Sequence, residues 1–154
     1  MKTLSDWFTE YAVSHQNPKN KTIHYICVPA IFFSIVGLLM SIPTKSVENL
    51  LNLNVPIIEN WAFLVLLFVL VFYFRLSVSM GLKVGFFAFL CLVLNYFIAQ
   101  FFTLWIFSIL LFLAAWIGQF YGHSIEGKKP SFLKDLQFLL IGPAWVLENL
   151  FSKK

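Results

Sequence analysis

Long uncharged segments divide the chain. One runs from residue 22 to 44, a second from 60 to 74, and a third from 84 to 125. A helix needs about 20 apolar residues to cross the hydrocarbon core of a bilayer. The first segment therefore predicts one membrane span, and the third, which is about twice the required length, predicts two spans joined by a turn.

The second and third segments both differ in length from a single span. The second is short for a span, but Arg75 can extend its side chain to the interface and let the helix continue toward Met80. Asn95 and Gln100 place two amides in the third segment, which predicts a turn there and a short first arm that tilts or crosses incompletely. The pattern predicts four spans, near 24–42, 58–78, 83–97 and 101–120.

Two less hydrophobic segments flank the spans. In residues 3–14 the apolar side chains recur at helical spacing while Asp6 and Glu10 lie elsewhere, which is typical of an amphipathic helix in the interface. Residues 131–151 read as a helix that Gly142-Pro143 should kink. The predicted fold class is an all-α membrane protein with one integral domain over 1–154. It is a four-span helical bundle with an N-terminal amphipathic helix and a C-terminal interfacial or re-entrant kinked helix.

Composition and charge agree with this prediction. The chain is 60% apolar and 12% charged, whereas a soluble domain carries about 25% charged residues. This excludes a disordered chain, a nucleic-acid-binding domain and an ordinary soluble enzyme. With the amino terminus inside, four spans place every basic residue except Lys45 on the cytoplasmic side, as the positive-inside rule expects. We therefore predict that both termini are cytoplasmic.

The candidate chemistry lies in the three histidines. His15 and His24 flank the start of the first span and His123 follows the fourth, so all three reach the cytoplasmic face. Asn17 is a natural N-cap and Pro18 a natural first helical residue, which leaves His15 in a preceding turn that can fold back toward His24. Three neutral imidazoles suit zinc, iron or copper. Interfacial histidines bonded to headgroups or backbone are the alternative, and haem is disfavoured because its ligands normally lie within the spans.

Three segments resemble a known family. They are 11–29 (YAVSHQNPKNKTIHYICVP), 119–130 (QFYGHSIEGKKP) and 135–143 (DLQFLLIGP). They are similar to the membrane-bound Fe(II)-dependent 2-hydroxy fatty acid dioxygenase family, which contains the yeast enzyme of phytosphingosine breakdown and bacterial relatives. The resemblance implies an iron enzyme that uses O₂ to convert a 2-hydroxy fatty acid into a fatty acid one carbon shorter.

The resemblance also implies roles for individual residues. The motif histidines correspond to His15, His24 and His123, as metal ligands and catalytic residues. Glu126 follows His123 by three residues on the same helical face, and whether it is a ligand is left open. The acyl chain is expected among the spans and its carboxylate at the cytoplasmic interface, where Lys128 or Lys129 could pair with it. The competing interpretation of these lysines, which the positive-inside pattern favours, is that they are topology signals.

Polar residues near the histidines are candidates for fixing the imidazole tautomers. They are Asn17, Asn20 and Gln119, with helix capping as the competing interpretation for Asn17. Two other functions remain open for the whole chain. One is a non-enzymatic lipid-binding or scaffolding membrane protein, and the other is metal-dependent hydrolysis or isomerisation of lipids without oxygen. Membrane lipids are expected partners and nucleic acids are not. The membrane is expected to be the inner membrane of a bacterium or the endoplasmic reticulum of a eukaryote.

Overall fold

The computed structural model describes residues 2–127 and 132–151, and every regular element in these ranges is an α-helix. The helices are α1 (Leu4–Ala12), α2 (Pro18–Met40), α3 (Lys45–Leu51), α4 (Trp61–Leu76), α5 (Val78–Ala99), α6 (Leu104–Glu126) and α7 (Phe132–Phe151). The all-helical prediction is confirmed for these residues.

Three of the helices are long and apolar enough to cross a membrane. They are α2, α5 and α6, with 23, 22 and 23 residues. Helix α4 is also apolar but has only 16 residues. Helix α2 begins at Pro18, several residues before the predicted span at 24, because Asn17 caps it: the Asn17 Oδ1 accepts a hydrogen bond from the Lys19 amide at 2.9 Å.

The boundary between α4 and α5 differs from the prediction. Helix α4 ends at Leu76 rather than continuing toward Met80, and α5 begins at Val78 rather than near 83. Ser77 serves both helices, because its N–H donates to Tyr73 O and its hydroxyl accepts from the Met80 amide at 3.4 Å. The expected short first arm is therefore wrong, since α5 has the length of a full span.

The turn between α5 and α6 lies slightly later than predicted. Asn95 is inside α5 and its side chain is fully buried. The Asn95 amide donates to Cys91 O at 2.9 Å and to Phe33 O at 3.2 Å. A side-chain amide within an apolar helix can be satisfied by the backbone of a neighbouring helix, and Asn95 connects α5 to α2 in this way. Helix α5 continues to Ala99, so the chain turns only after Gln100.

The chain forms two compact units. One contains Met1–Phe32 with Leu113–Lys154, and the other contains Phe33–Phe112. The first unit carries all three histidines. Within it, α7 passes close to α1 and α2, because a Cβ on Gly142 would lie 3.2 Å from both Tyr11 Oη and Val28 Cγ1.

Helix α1 lies within the segment 3–14 for which the sequence predicts an N-terminal amphipathic helix. Thr3 and Asp6 form a reciprocal capping box, in which the Asp6 amide donates to Thr3 Oγ1 at 3.2 Å and the Thr3 amide donates to the Asp6 carboxylate at 2.8 Å. These bonds satisfy two of the amides that a helix N-terminus leaves unpaired. The helix therefore has a fixed start. The turn that follows its last residue, Ala12, leads to His15, whose side chain is buried.

Candidate metal centre

The three histidine side chains meet in the interior of the first unit. One ligand nitrogen from each of His15, His24 and His123 lies within 4.8 Å of the others. The side chains are 2%, 1% and 8% exposed. They come from three different elements, namely the turn after α1, the second turn of α2 and the last turn of α6. No other group of three potential ligands of this kind is found among the described residues.

The turn between α1 and α2 carries His15 back toward His24, as the sequence predicts. The His15 amide donates to Ala12 O at 3.0 Å, which continues the chain in a tight turn after α1. Asn17 then caps α2 and Pro18 begins it, so that His24 lies on the inner face of its second turn. The ring centroids of His15 and His24 are 4.3 Å apart.

Backbone carbonyls determine which nitrogen of two imidazoles faces the centre. His15 Nδ1 lies 2.7 Å from Tyr11 O, and His24 Nδ1 lies 3.0 Å from Asn20 O. A carbonyl oxygen only accepts hydrogen bonds, so each Nδ1 carries the proton and each Nε2 bears the lone pair of the neutral ring. This arrangement of a backbone carbonyl behind the imidazole is typical of histidines that bind metals.

The donor set fits a first-row divalent cation. His15 Nε2 is buried and has no hydrogen-bond partner among the described residues, which is unfavourable for a polar atom unless something binds it. Two nitrogens bound to one such ion at about 2.1 Å lie at most about 4.2 Å apart. The observed separations of up to 4.8 Å therefore require only a small inward movement. The site could hold a metal through three neutral imidazoles.

Aromatic rings enclose His15. The Tyr11 ring stacks on the His15 imidazole with a centroid distance of 4.1 Å and an interplanar angle of 6°. The Trp145 ring of α7 lies 5.6 Å from the same imidazole and 5.2 Å from Tyr11. Sequence analysis missed both residues. The spacing of Tyr11 four residues before His15 is a local signal that could have found the first, whereas no pattern in the sequence connects Trp145 with the histidines.

Glu126 lies beside the cluster but is not part of the ligand group. Its two carboxylate oxygens accept hydrogen bonds from the Gln16 amide at 2.8 Å, the Asn17 amide at 3.0 Å and Asn20 Nδ2 at 3.0 Å. Both oxygens are therefore used by the turn that follows His15 and by the first turn of α2. In this arrangement Glu126 connects the end of α6 to the turn after His15 and to the start of α2.

The remaining predicted residues fall into three groups. Asn17 acts through its side chain as the cap of α2, and Asn20 places its carbonyl behind His24 while its side chain contacts Glu126. Gln119 is buried at 8% exposure and its side chain hydrogen-bonds with His24. The predicted substrate contacts Lys128 and Lys129 lie outside the described residues.

The burial of His15 predicts a pH-dependent stability of the metal-free protein. Burial lowers the pKa of His15 from 6.5 to about 4, so the imidazole is neutral at pH 7. In the unfolded chain the pKa is about 6.5, so the unfolded state binds more protons between these values. Stability should therefore fall as the pH is lowered from 6.5 to about 4. Thermal unfolding with a chelator present, at a series of pH values, measures this dependence.

A His15→Gln variant is the comparison for this prediction. Gln retains hydrogen-bonding groups but does not titrate, so the variant should lose less stability over the same pH window. Carboxylates remote from His15 titrate equally in both proteins and cancel in the difference. An identical pH dependence in the two proteins would contradict a neutral, buried His15.

The fold and the site define a class of protein. It is an all-helical protein with three helices that could span a membrane and a buried cluster of three histidines that could hold a metal. The chain belongs to the Mpo1-like family, described as 2-hydroxy-palmitic acid dioxygenase Mpo1-like, whose model matches residues 1–154. This confirms the resemblance found in the sequence. No curated protein and no solved structure matches the chain.

Proposed function

We propose that this chain is an Fe(II)-dependent dioxygenase that converts a 2-hydroxy fatty acid into a fatty acid one carbon shorter. Membership of the family supports the reaction class. The observation that carries the proposal is the convergence of three buried imidazoles, of which His15 Nε2 has no hydrogen-bond partner in the part of the chain that the structure describes. The reaction balances without a further reductant, because the 2-hydroxy acid and O₂ give the shortened acid, CO₂ and water.

The residues of the site have distinct tasks in this proposal. Bound iron would supply electrons and a template for the hydroxy acid and O₂. His15, His24 and His123 hold it without adding negative charge, which leaves the positive charge available to an anionic carboxylate. Three side-chain donors also leave coordination positions for substrate. Tyr11 and Trp145 cover His15 and keep bulk water from that side of the centre.

We also propose four spans in one integral domain, with both termini in the cytoplasm. In the first unit, α2 and α6 pack antiparallel, because Gly118 lies against Cys27 while Gly122 lies against the earlier Asn20. If only α2, α5 and α6 crossed the bilayer, α2 and α6 would run parallel. The antiparallel packing therefore supports a crossing by α4 as well.

The length of α4 is compatible with that role. Its 16 residues span about 24 Å, against a hydrocarbon thickness of about 30 Å. Arg75 lies in its last turn and can extend its side chain to the interface. Local thinning of the bilayer accommodates the remaining mismatch at modest cost. The amphipathic α1 and the C-terminal α7 would lie at the cytoplasmic interface, next to the metal centre.

The proposed reaction is tested by product analysis. The purified protein, loaded anaerobically with Fe(II), is given 2-hydroxypalmitate with or without O₂, and the products are identified by mass spectrometry. We expect pentadecanoate in air and none without oxygen. Palmitate, which lacks the α-hydroxyl that would chelate the metal, should not react and serves as the matched substrate control.

Other outcomes distinguish the competing functions. A product formed equally without O₂ would indicate hydrolase or isomerase chemistry. No product from iron-loaded protein, together with unchanged lipid binding after replacing His15, His24 and His123, would favour a lipid-binding or scaffolding role. Either result would overturn the dioxygenase proposal.

A further inference from the structure

We infer that Glu126 is a positioning residue that assembles the metal centre by holding the His15 turn against the helix that carries His123. This inference rests on the proposed function. It concerns how the three imidazoles are brought together, and so it makes predictions about metal affinity that are separate from the reaction itself.

The location of Glu126 suits this role. It is the last residue of α6, three positions after His123, and so lies on the same face of the helix. Gly127 follows with a positive φ of 70°, a conformation that glycine adopts easily. The helix therefore ends directly after the carboxylate, at the level of the turn between α1 and α2.

The contacts of Glu126 connect the three elements that supply the histidines. Its Oε1 accepts from the Gln16 amide, directly after His15, and its Oε2 accepts from the Asn17 amide and from Asn20 Nδ2. These are hydrogen bonds to an ionised acceptor, which are stronger than those between neutral groups. They also place a negative charge at the N-terminus of α2, where the helix dipole favours it.

The position of His15 depends on this contact more than the positions of His24 and His123 do. His24 and His123 lie within regular helices, whereas His15 lies in the turn between α1 and α2. Its imidazole is held by the Tyr11 carbonyl, but the backbone that follows it is held against α6 by Glu126. Loss of the carboxylate would release the His15 turn from α6 and leave its Nε2 displaced from the other two nitrogens.

The most informative variant is Glu126→Gln, which replaces one acceptor oxygen with a donor and removes the charge. A carboxylate accepts at both oxygens, whereas a glutamine amide presents a donor at one of them. The variant would direct an NH₂ group at a backbone N–H and lose at least one of the three hydrogen bonds. Residues behind metal ligands typically change affinity by about 10–100-fold when replaced, and we expect a loss in this range.

The experiment measures Co(II) binding to the full chain in detergent, by equilibrium titration and by the visible absorption of the bound ion. Glu126→Gln should weaken Co(II) binding by about 10–100-fold and change the absorption bands, because His15 is displaced. Glu10→Gln is the matched control, since Glu10 is an exposed carboxylate of the same unit that pairs with Lys2 at 2.5 Å. This control should bind Co(II) as the parent protein does.

Two further measurements keep the inference falsifiable. A purely structural role for Glu126 would lower the stability of the metal-free protein but leave the Co(II) affinity and spectrum of the folded protein unchanged, and this result would overturn the inference. If Glu126→Gln does not fold, Asn20→Ala removes one of the three donors and should weaken Co(II) binding less than tenfold. Unchanged affinity in a folded Asn20→Ala protein would also count against it.

The outcomes separate this inference from the proposed function. If the parent protein binds Co(II) but produces no shortened acid, the reaction is wrong while the role of Glu126 is still measured by the affinities. If the parent protein performs the reaction and Glu126→Gln binds Co(II) equally well, only the positioning role is wrong.

Discussion

Replacing His24 with alanine is expected to eliminate stoichiometric metal binding and oxygen-dependent turnover. The His24 ring lies close to the other two histidines, with its centroid 4.3 Å from that of His15 and 5.0 Å from that of His123. Alanine is compatible with the helix but leaves only two imidazoles. Replacing a residue that supports a metal ligand typically lowers metal affinity by about 10–100-fold. We therefore expect removal of a ligand itself to lower the affinity by more than ~100-fold. Anaerobic Fe(II) dialysis with metal analysis, and oxygen consumption with 2-hydroxypalmitate, measure the two effects.

A neighbouring position on α2 provides the control. The Thr22 hydroxyl donates to Pro18 O at 3.0 Å and is not part of the ligand group. Thr22→Ala should therefore retain iron and activity. Circular dichroism of both variants verifies that the helices are intact. A His24→Ala protein that is folded and still holds one equivalent of iron would exclude His24 as a ligand.

Much of the helical architecture could be predicted because charge and hydrophobicity act locally. The Asn17-Pro18 pair starts α2 by capping and by its fixed φ, and neither effect depends on the rest of the fold. The boundary at Ser77 could not be predicted in this way. The sequence predicted that the second span continues past Arg75 toward Met80 and that the next begins near 83, whereas the break occurs at Ser77, which caps both helices.

The candidate site could likewise be predicted only in part. The three histidines stand out in the sequence because the chain has no others and none lies in the middle of a predicted span. The structure brings these three together. The contacts that orient them could not be read from the sequence. Those contacts use backbone atoms of Tyr11 and of the turn after His15, and they join Glu126 to Gln16 across 110 positions. A tertiary contact of this kind has no periodic signal.

Glycine at position 122 allows α2 and α6 to approach each other at the metal centre, and we expect Gly122→Ala to impair the site. The added Cβ would collide with Asn20 Oδ1 and lie 3.4 Å from His24 Cε1. The Asn20 side chain cannot simply turn away, because its Nδ2 donates to Ser14 O at 3.1 Å and to Glu126 at 3.0 Å. The helices must separate or these bonds must break.

The expected effect of Gly122→Ala has two parts. Overpacking a tight contact typically costs about 1–3 kcal/mol of unfolding free energy, and a displacement of about 1 Å in a catalytic site can reduce turnover by about 100-fold. Unfolding in mixed micelles and turnover of 2-hydroxypalmitate measure these quantities. Gly85→Ala is the control, since its Cβ would contact only Leu70 Cδ2, at an ordinary 3.5 Å. Because Gly122 donates nothing to the metal, normal turnover in Gly122→Ala would show that α2 and α6 can separate without displacing His24 from His123.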